Sequence, residues 1–325
     1  MESRPALDVT AVDFLTVTEQ AALSSARWLG RGDNNAADQA AVDAMRTTFA
    51  TLPISGRVVI GEGEKDEAPE LYKGEVLGTG GPPFDIGVDP LEGTSLVARG
   101  DSGAIAICVV AEPDGILSAP DMYMRKLCVG ATAKGRVDMR DPIADTLDTV
   151  ARCYGRRVRD LTAIVLDRPR HAELIEDVRN AGARIRLIPD GDITASMSAA
   201  VRGTGDHVYV GIGGSTEGVI TAAALECLGG EIQSQFWPRT EEERGRLREF
   251  GLDDPDQVLG TRDLASAPLY VLATGVTDGS LLRGVRYFND GARTHSIVMD
   301  LHAGTVRFID TVHLFGRTPV REIRL

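Results

Sequence analysis

The 325-residue chain is short of aromatics, at 5%, and of positive charge, with 35 Lys and Arg against 48 Asp and Glu for a net charge of −13. No basic stripe is left to neutralise a run of phosphates, which argues against nucleic acid as a partner. An anionic small substrate stays open, provided that bound cations reverse the sign locally. Long apolar runs are also missing. The longest, Ala104 to Ala111, is far too short to cross a bilayer, and Met1 to Pro5 lacks the basic-then-apolar pattern of a secretory leader. A cytoplasmic protein with no membrane contact is expected. Cys108, Cys128, Cys153 and Cys227 are too widely spaced for a disulfide framework or a CxxC metal site and read as core thiols. Histidine is absent from the first half, since His171, His207, His295, His302 and His313 all come later. No Gly-x-Ser-x-Gly elbow precedes a helix, so a Ser-His-Asp hydrolase is not indicated. There is no repeat of fixed period and no low-complexity linker.

What the chain does have is acid in suggestive places. Phe84, Ile86 and Val88 alternate with Asp85, Gly87 and Asp89, the period of a strand with one buried face, which is expected to stop at Pro90. Asp89 would then end the strand, Pro90-Leu91 would turn Glu92 back beside it, and Gly93 and Thr94 would follow with free backbone N–H groups. Two carboxylates, a tight turn, a glycine and a hydroxyl are the parts needed to hold a hard cation against a phosphate. Upstream, a strand at Arg57 to Ile60 runs into Gly61-Glu62-Gly63-Glu64, where the glycines let the backbone point both acids the same way. Thr16 to Glu19 has capping-box spacing for a first helix that Gly30 can end. A second helix is expected from Asn34 or Asn35 to Leu52, with Ala41, Met45, Phe49 and Leu52 on one stripe. Asp38 falls on that stripe, which favours an inward-pointing ligand over a solvated acid of the first turn.

Further on, residues 103–111 read as a buried strand, and Tyr123 reads either as a core aromatic with a wet tip or as a phosphate contact. After about residue 155 the pattern changes to alternating strand and helix. This predicts two domains, an α+β domain over 1–155 and an α/β domain with a largely parallel sheet over 156–325. Expected strands cover Leu161 to Leu166, Arg184 to Ile188 and His207 to Val210, with a helix from His171 to Ala181. A charged helix near Thr240 to Phe250, a strand at Leu269 to Ala273 and a hairpin of His295 to Asp300 with Thr305 to Asp310 complete the chain. Arg170 and His171, and Asp190 to Asp192, lie at strand carboxyl ends, where open α/β sheets bind ligands. Each also has a plain reading as a helix-terminal or turn group. Gly211-x-Gly213 follows a strand and opens a helix, but Thr216 stands where a dinucleotide fingerprint needs its third glycine. Its loop can still hold a phosphate or sugar oxygen on its amides. Asp38, Glu62, Glu64, Asp89 and Glu92, with Glu217 as a sixth, form an oxygen-only set that favours Mg²⁺ or Mn²⁺ over Zn²⁺ or copper. Two such ions about 4 Å apart can clamp a phosphate.

Asp89-Pro-Leu-Glu-Gly-Thr94 resembles the signature of the lithium-sensitive, metal-dependent phosphatases, which include inositol monophosphatases and fructose bisphosphatases. Together with Gly-Arg-Gly-Asp33, Val-Ile-Gly-Glu-Gly-Glu64, Ala-Pro-Asp-Met-Tyr123-Met, Arg-Pro-Arg170-His171, Pro-Asp190-Gly-Asp192 and Gly-Ile-Gly-Gly214-x-x-Glu217-Gly, the chain is similar to the bacterial class II fructose-1,6-bisphosphatases from about residue 10 onward. The resemblance implies a layered α-β-α-β-α sugar-phosphatase sandwich of two packed domains and hydrolysis of the 1-phosphate of fructose 1,6-bisphosphate. It implies metal ligation by Asp38, Glu62, Asp89, Glu92 and Glu217, and catalysis by Thr94, Glu62 and Asp38, Thr94 either attacking or positioning water. Substrate contacts are implied from Glu92, Gly93, Thr94, Tyr123, Arg170, His171, Ala172, Asp190, Gly191, Asp192 and Gly214. A homo-oligomer, dimer or tetramer, is also implied. Relatives that also cleave sedoheptulose 1,7-bisphosphate make a dual Calvin-cycle activity the nearest alternative to gluconeogenesis. An inositol monophosphatase-like activity is disfavoured by Arg170, which suits a second phosphate. Two departures stand out. Ala172 replaces an acidic residue frequent in relatives, leaving only its backbone for contact, and the segment after Gly230 is shortened and diverged.

Overall fold

A computed structural model describes residues 10–63, 71–252, 254 and 256–315. The chain opens with α1 (Ala11–Ala26), α2 (Asn34–Phe49), β1 (Ser55–Ile60), β2 (Val76–Leu77), β3 (Pro83–Glu92) and α3 (Thr94–Arg99). It continues with β4 (Ile105–Ala111), β5 (Tyr123–Val129), α4 (Ile143–Tyr154), β6 (Thr162–Leu166), α5 (Ala172–Asn180) and β7 (Arg184–Ile188). Next come α6 (Asp192–Ala200), β8 (Val208–Gly214), α7 (Ser215–Leu228), β9 (Glu231–Phe236) and α8 (Glu241–Glu249). Last are β10 (Leu259–Gly260), α9 (Thr261–Leu264), β11 (Pro268–Gly275), β12 (Arg286–Phe288), β13 (Gly291–Asp300) and β14 (Thr305–Leu314).

The strands form two sheets. One runs β12-β13-β11-β4-β3-β1-β2 with β14 on β13; the other runs β10-β9-β5-β8-β6-β7. In the second sheet only the β7–β6 and β6–β8 pairings are parallel; β5 pairs antiparallel with both β8 and β9, and β10 antiparallel with β9, so the expected largely parallel sheet is mixed. Residue 155 falls between β5 and β6, both of the second sheet, and β11 to β14 return to the first. Local pattern cannot specify which sheet a late strand joins, since that is decided by long-range pairing.

Three apolar clusters define five layers. Phe14, Val17, Ala41, Met45 and Phe49 of α1 and α2 pack on Phe84, Ile86, Val88 and Cys108 of the first sheet. Its other face, with Ile60, Ile107, Val109 and Ile297, meets α6, α7 and the inner face of the second sheet. The outer face of the second sheet, with Leu127 and Ala163, is covered by Leu147 and Val150 of α4 and Val178 of α5. The architecture is therefore α-β-α-β-α. Its middle layer explains why α6 carries no helical signal in the sequence. Asp192 to Ala199 are all buried, so no polar face alternates with an apolar one.

The first helix also begins earlier than its internal threonines suggest. Asp13 accepts hydrogen bonds from both the N–H (2.7 Å) and the hydroxyl (2.8 Å) of Thr10, closing the N-terminus six residues upstream of Thr16. The second helix is capped by Asp33, which accepts from the Ala36 N–H at 3.0 Å. No described helix is long and apolar enough to cross a membrane.

Candidate active site

β3 does not stop at Pro90. It runs on to Glu92, and its register against β4 shifts between Asp89 and Glu92. Pro90 sits in that irregularity, where a missing N–H costs no ladder bond. The Leu91 N–H folds back onto Asp89 Oδ1 at 3.1 Å. Gly93 then turns the chain with φ of 85°, a left-handed conformation that favours glycine, and Thr94 begins α3. The Thr94 hydroxyl lies 3.0 Å from the Leu91 carbonyl and 3.3 Å from Asp38 Oδ1, so the second helix is tied to the β3–α3 junction.

The cleft at this junction has a volume of about 320 Å³ and is lined by Asp38, Glu62, Asp89, Glu92, Gly93, Thr94, Asp190 and Glu217. These acids arrive from α2, the end of β1, β3, the β7–α6 turn and the first turn of α7. Glu64 lies outside the described residues. Ser95 donates to Asp190 Oδ2 at 2.7 Å, and the Ile193 N–H of α6 donates to Glu92 Oε1 at 2.8 Å. Burial, reinforced by Asp38 and Glu217, pushes Glu62 up to about 8. Burial, with Asp192 and Glu217 nearby, brings Glu92 to about 8 as well. Asp89 is raised well above the carboxylate range by burial and the Glu92 charge, and burial raises Asp38 and Glu217. So many acids cannot all ionise side by side without cations.

That is the chemistry of a hard-cation site: oxygen donors only, crowded and under-neutralised. The acids line the cleft walls, and among the described residues no three His, Cys, Asp or Glu side chains close on a single point as a finished coordination shell. The fit therefore rests on the donor set and on the space cleared for it. A Cβ on Gly214 would overlap the Glu217 carboxylate, and one on Gly213 would overlap Asp192 Oδ2. A Cβ on Gly211 would press on the His171 ring at 3.2 Å. The glycines after Val210, expected to form a loop, continue β8 and make room for two acids and an imidazole. Their resemblance to a nucleotide-binding loop has this steric origin.

The remaining expected contacts divide. Tyr123 stands outside the cleft lining, its ring flanked by the guanidinium carbons of Arg170 at 4.9 Å and Arg239 at 4.7 Å. It pairs with Gly214 across β5 and β8, one turn from Glu217. Arg170 also donates to the Ile212 carbonyl through Nη2 (2.7 Å) and Nε (3.2 Å). His171 differs from expectation. Its Nδ1 meets the Leu166 carbonyl at 2.8 Å and its Nε2 accepts the Ile212 N–H at 2.7 Å, so both ring nitrogens serve the backbone. Burial lowers its pKa, in keeping with a neutral ring. Asp192 turns away from the cleft, its Oδ2 taking the Lys126 ammonium at 2.7 Å and the Tyr209 hydroxyl at 3.2 Å. Gly191 lines a neighbouring cleft that shares Asp190, and Ala172 is exposed at the start of α5.

Sequence reasoning missed Lys73, Asp121 and Thr216 in the cleft lining and Arg239 over Tyr123. Asp121 and Thr216 stood inside motifs already singled out. Lys73 and Arg239 carry no spacing signal.

The sequence model of the family described as bacterial fructose-1,6-bisphosphatase, glpX-encoded, matches residues 8–313. A protein of Synechococcus sp. named D-fructose 1,6-bisphosphatase class 2/sedoheptulose 1,7-bisphosphatase is 45% identical, covering 97% of this chain and 98% of its own. Proteins of the same name are 43% identical in Trichodesmium erythraeum, covering 98% of this chain and 99% of theirs, and 44% identical in Microcystis aeruginosa, covering 96% and 98%.

Proposed function

The chain belongs to the glpX-encoded bacterial fructose-1,6-bisphosphatase family, and from that premise we propose that it removes the 1-phosphate of fructose 1,6-bisphosphate, releasing fructose 6-phosphate and phosphate. The observation that carries the reading is one cleft holding Asp38, Glu62, Asp89, Glu92, Glu217 and Thr94, with a guanidinium and aromatic cluster beside it. Those five acids are the residues that would hold Mg²⁺ or Mn²⁺. Bound there, divalent cations neutralise the acids and the phosphoryl oxygens and lower the pKa of water.

The protein's own groups do the rest. Leu91 and Asp38 hold the Thr94 oxygen in place at the mouth of α3. Asp38 Oδ1 can take a proton from that hydroxyl, or from a water positioned by it, as the P–O bond to the incoming oxygen forms and the bond to the sugar oxygen breaks, the departing oxygen taking a proton from solvent; on the direct route a water then cleaves the Thr94–phosphate bond, restoring the hydroxyl and releasing phosphate. Trapping a phosphothreonine at Thr94 would select direct attack. Arg170 and Arg239, flanking the Tyr123 ring, add positive charge beside a cleft whose lining holds Lys73 among the acids, and suit the sugar's second phosphate. Asp190 remains the acid on the sugar side of the cleft.

A second activity, on sedoheptulose 1,7-bisphosphate, is favoured by the names of the relatives. The discriminating experiment is a substrate profile of the purified protein with Mg²⁺ and with Mn²⁺. The reading expects phosphate release from both bisphosphates at kcat/KM values well above that for inositol 1-phosphate. No release from either bisphosphate with either metal would overturn it. The reading includes a cytoplasmic homo-oligomer. The edge strand β14, with Val306 42% and Phe308 50% exposed, offers a surface for assembly, and gel filtration reads the state.

A further inference from the structure

The buried wall behind the acids contains a lysine that the mechanism above does not use. Lys126 is fully buried in the middle of β5, and its ammonium lies 2.7 Å from Asp192 Oδ2, the oxygen that also accepts from Tyr209 at 3.2 Å. Backbone clears space for the pair. A Cβ on Gly213 would sit 2.0 Å from Asp192 Oδ2 and 3.2 Å from Lys126 Nζ. Asp192 is the first residue of α6, immediately after the left-handed Gly191. The next N–H in the chain, that of Ile193, is the donor to Glu92 Oε1 at 2.8 Å.

We infer that Lys126 is a positioning residue for the cation site: its ammonium fixes Asp192, Asp192 fixes the start of α6, and the Ile193 N–H at that point fixes Glu92. Stability alone gives a poor reason for the pair, because an apolar replacement of a buried ion pair is commonly neutral or stabilising, whereas removing one partner is costly. Specific geometry gives a better one. The pair sits one residue from the only backbone donor described on Glu92, and outer-shell partners of metal ligands set both ligand orientation and affinity. Asp192 thus acts through Lys126 and α6, and not by touching the sugar.

The inference rests on reading Glu92 as a ligand, so the test uses metal binding as well as turnover. Two variants avoid an unpaired buried charge or keep a donor in place: Lys126→Met combined with Asp192→Asn, and Lys126→Gln. Calorimetric titration with Mn²⁺ alone is expected to show affinity weakened about 10- to 100-fold in both. In fructose 1,6-bisphosphate hydrolysis kcat should fall by a similar factor at saturating Mn²⁺, with KM changed less than about threefold. Wild-type Mn²⁺ affinity and kcat in the double variant would reduce the pair to a packing element and overturn the proposal. A raised KM with unchanged kcat would overturn it in favour of a direct sugar contact by Asp192. If the wild type binds Mn²⁺ but hydrolyses no bisphosphate, the functional reading fails while the Mn²⁺ titrations still decide the role of Lys126.

Discussion

Two strand-to-helix junctions deliver acids to the same cleft from different sheets, and they use glycine for different reasons. At the β3–α3 junction, Gly93 is needed for its backbone: φ is 85°, and a side chain there would also crowd Leu96 Cδ1 at 2.8 Å. At the β8–α7 junction, Gly214 has an ordinary φ of −70°, and what it gives is space for the Glu217 carboxylate. A glycine pattern alone does not say which of these it is. One junction places its hydroxyl and acid by bending the chain, and the other places its acid by hollowing the sheet.

The largest effect is expected from Glu92→Ala, which removes the acid shared by the first junction and α6. Phosphate release should fall about 10³-fold, the upper end for loss of a charge-stabilising group, and Mn²⁺ binding should weaken with it. Unchanged activity at saturating metal would remove Glu92 from the site. Gly214→Ala comes next. The new methyl meets only the far end of a flexible side chain, so the melting temperature should barely move while misplacement of Glu217 costs about 10²-fold in kcat. Gly93→Ala should do the reverse, with a stability loss of about 1–2 kcal/mol from the left-handed backbone and a smaller, roughly tenfold, loss of activity. Equal Tm losses in the two alanine variants would erase the distinction drawn here.

Stability should also depend on pH. With Glu62 at about 8 in the folded, metal-free protein against 4.5 when unfolded, the native state binds the extra proton between those values. Its contribution to stability is fully present below 4.5 and is lost as pH rises toward 8. Metal-free Glu62→Gln should therefore gain on the wild type in Tm across that window. Mn²⁺ binding to the wild type should also release protons at pH 7 and fewer above 8. A Tm gap independent of pH would contradict the crowding of the acids.

The two junctions also differ in how much of them was legible. The β3–α3 acids and Thr94 could be read from alternation and a turn, because the signal is local. Even there, the strand runs through Pro90, since a register shift accommodates the proline. The five-layer sandwich follows from the resemblance. Its middle helix α6 does not follow from periodicity, being buried on every side. Asp192 and His171 sit at strand ends and are among the sugar contacts that the resemblance implies. Their partners, Lys126, Tyr209, Leu166 and Ile212, are mostly far away in sequence, and only the fold shows that these side chains face inward. Arg239, over the Tyr123 ring, was invisible for the same reason.

The central claim, that acids from both junctions jointly hold the cations that make this cleft a phosphatase, is tested most directly by one titration. Phosphate release from fructose 1,6-bisphosphate is followed as Mn²⁺ is returned to chelator-stripped wild-type protein and to Glu217→Gln. The account predicts background release without metal, restoration in the wild type, and little restoration in Glu217→Gln at any Mn²⁺ concentration. Full activity after chelation, or a Glu217→Gln variant that matches the wild type at saturating Mn²⁺, would contradict it.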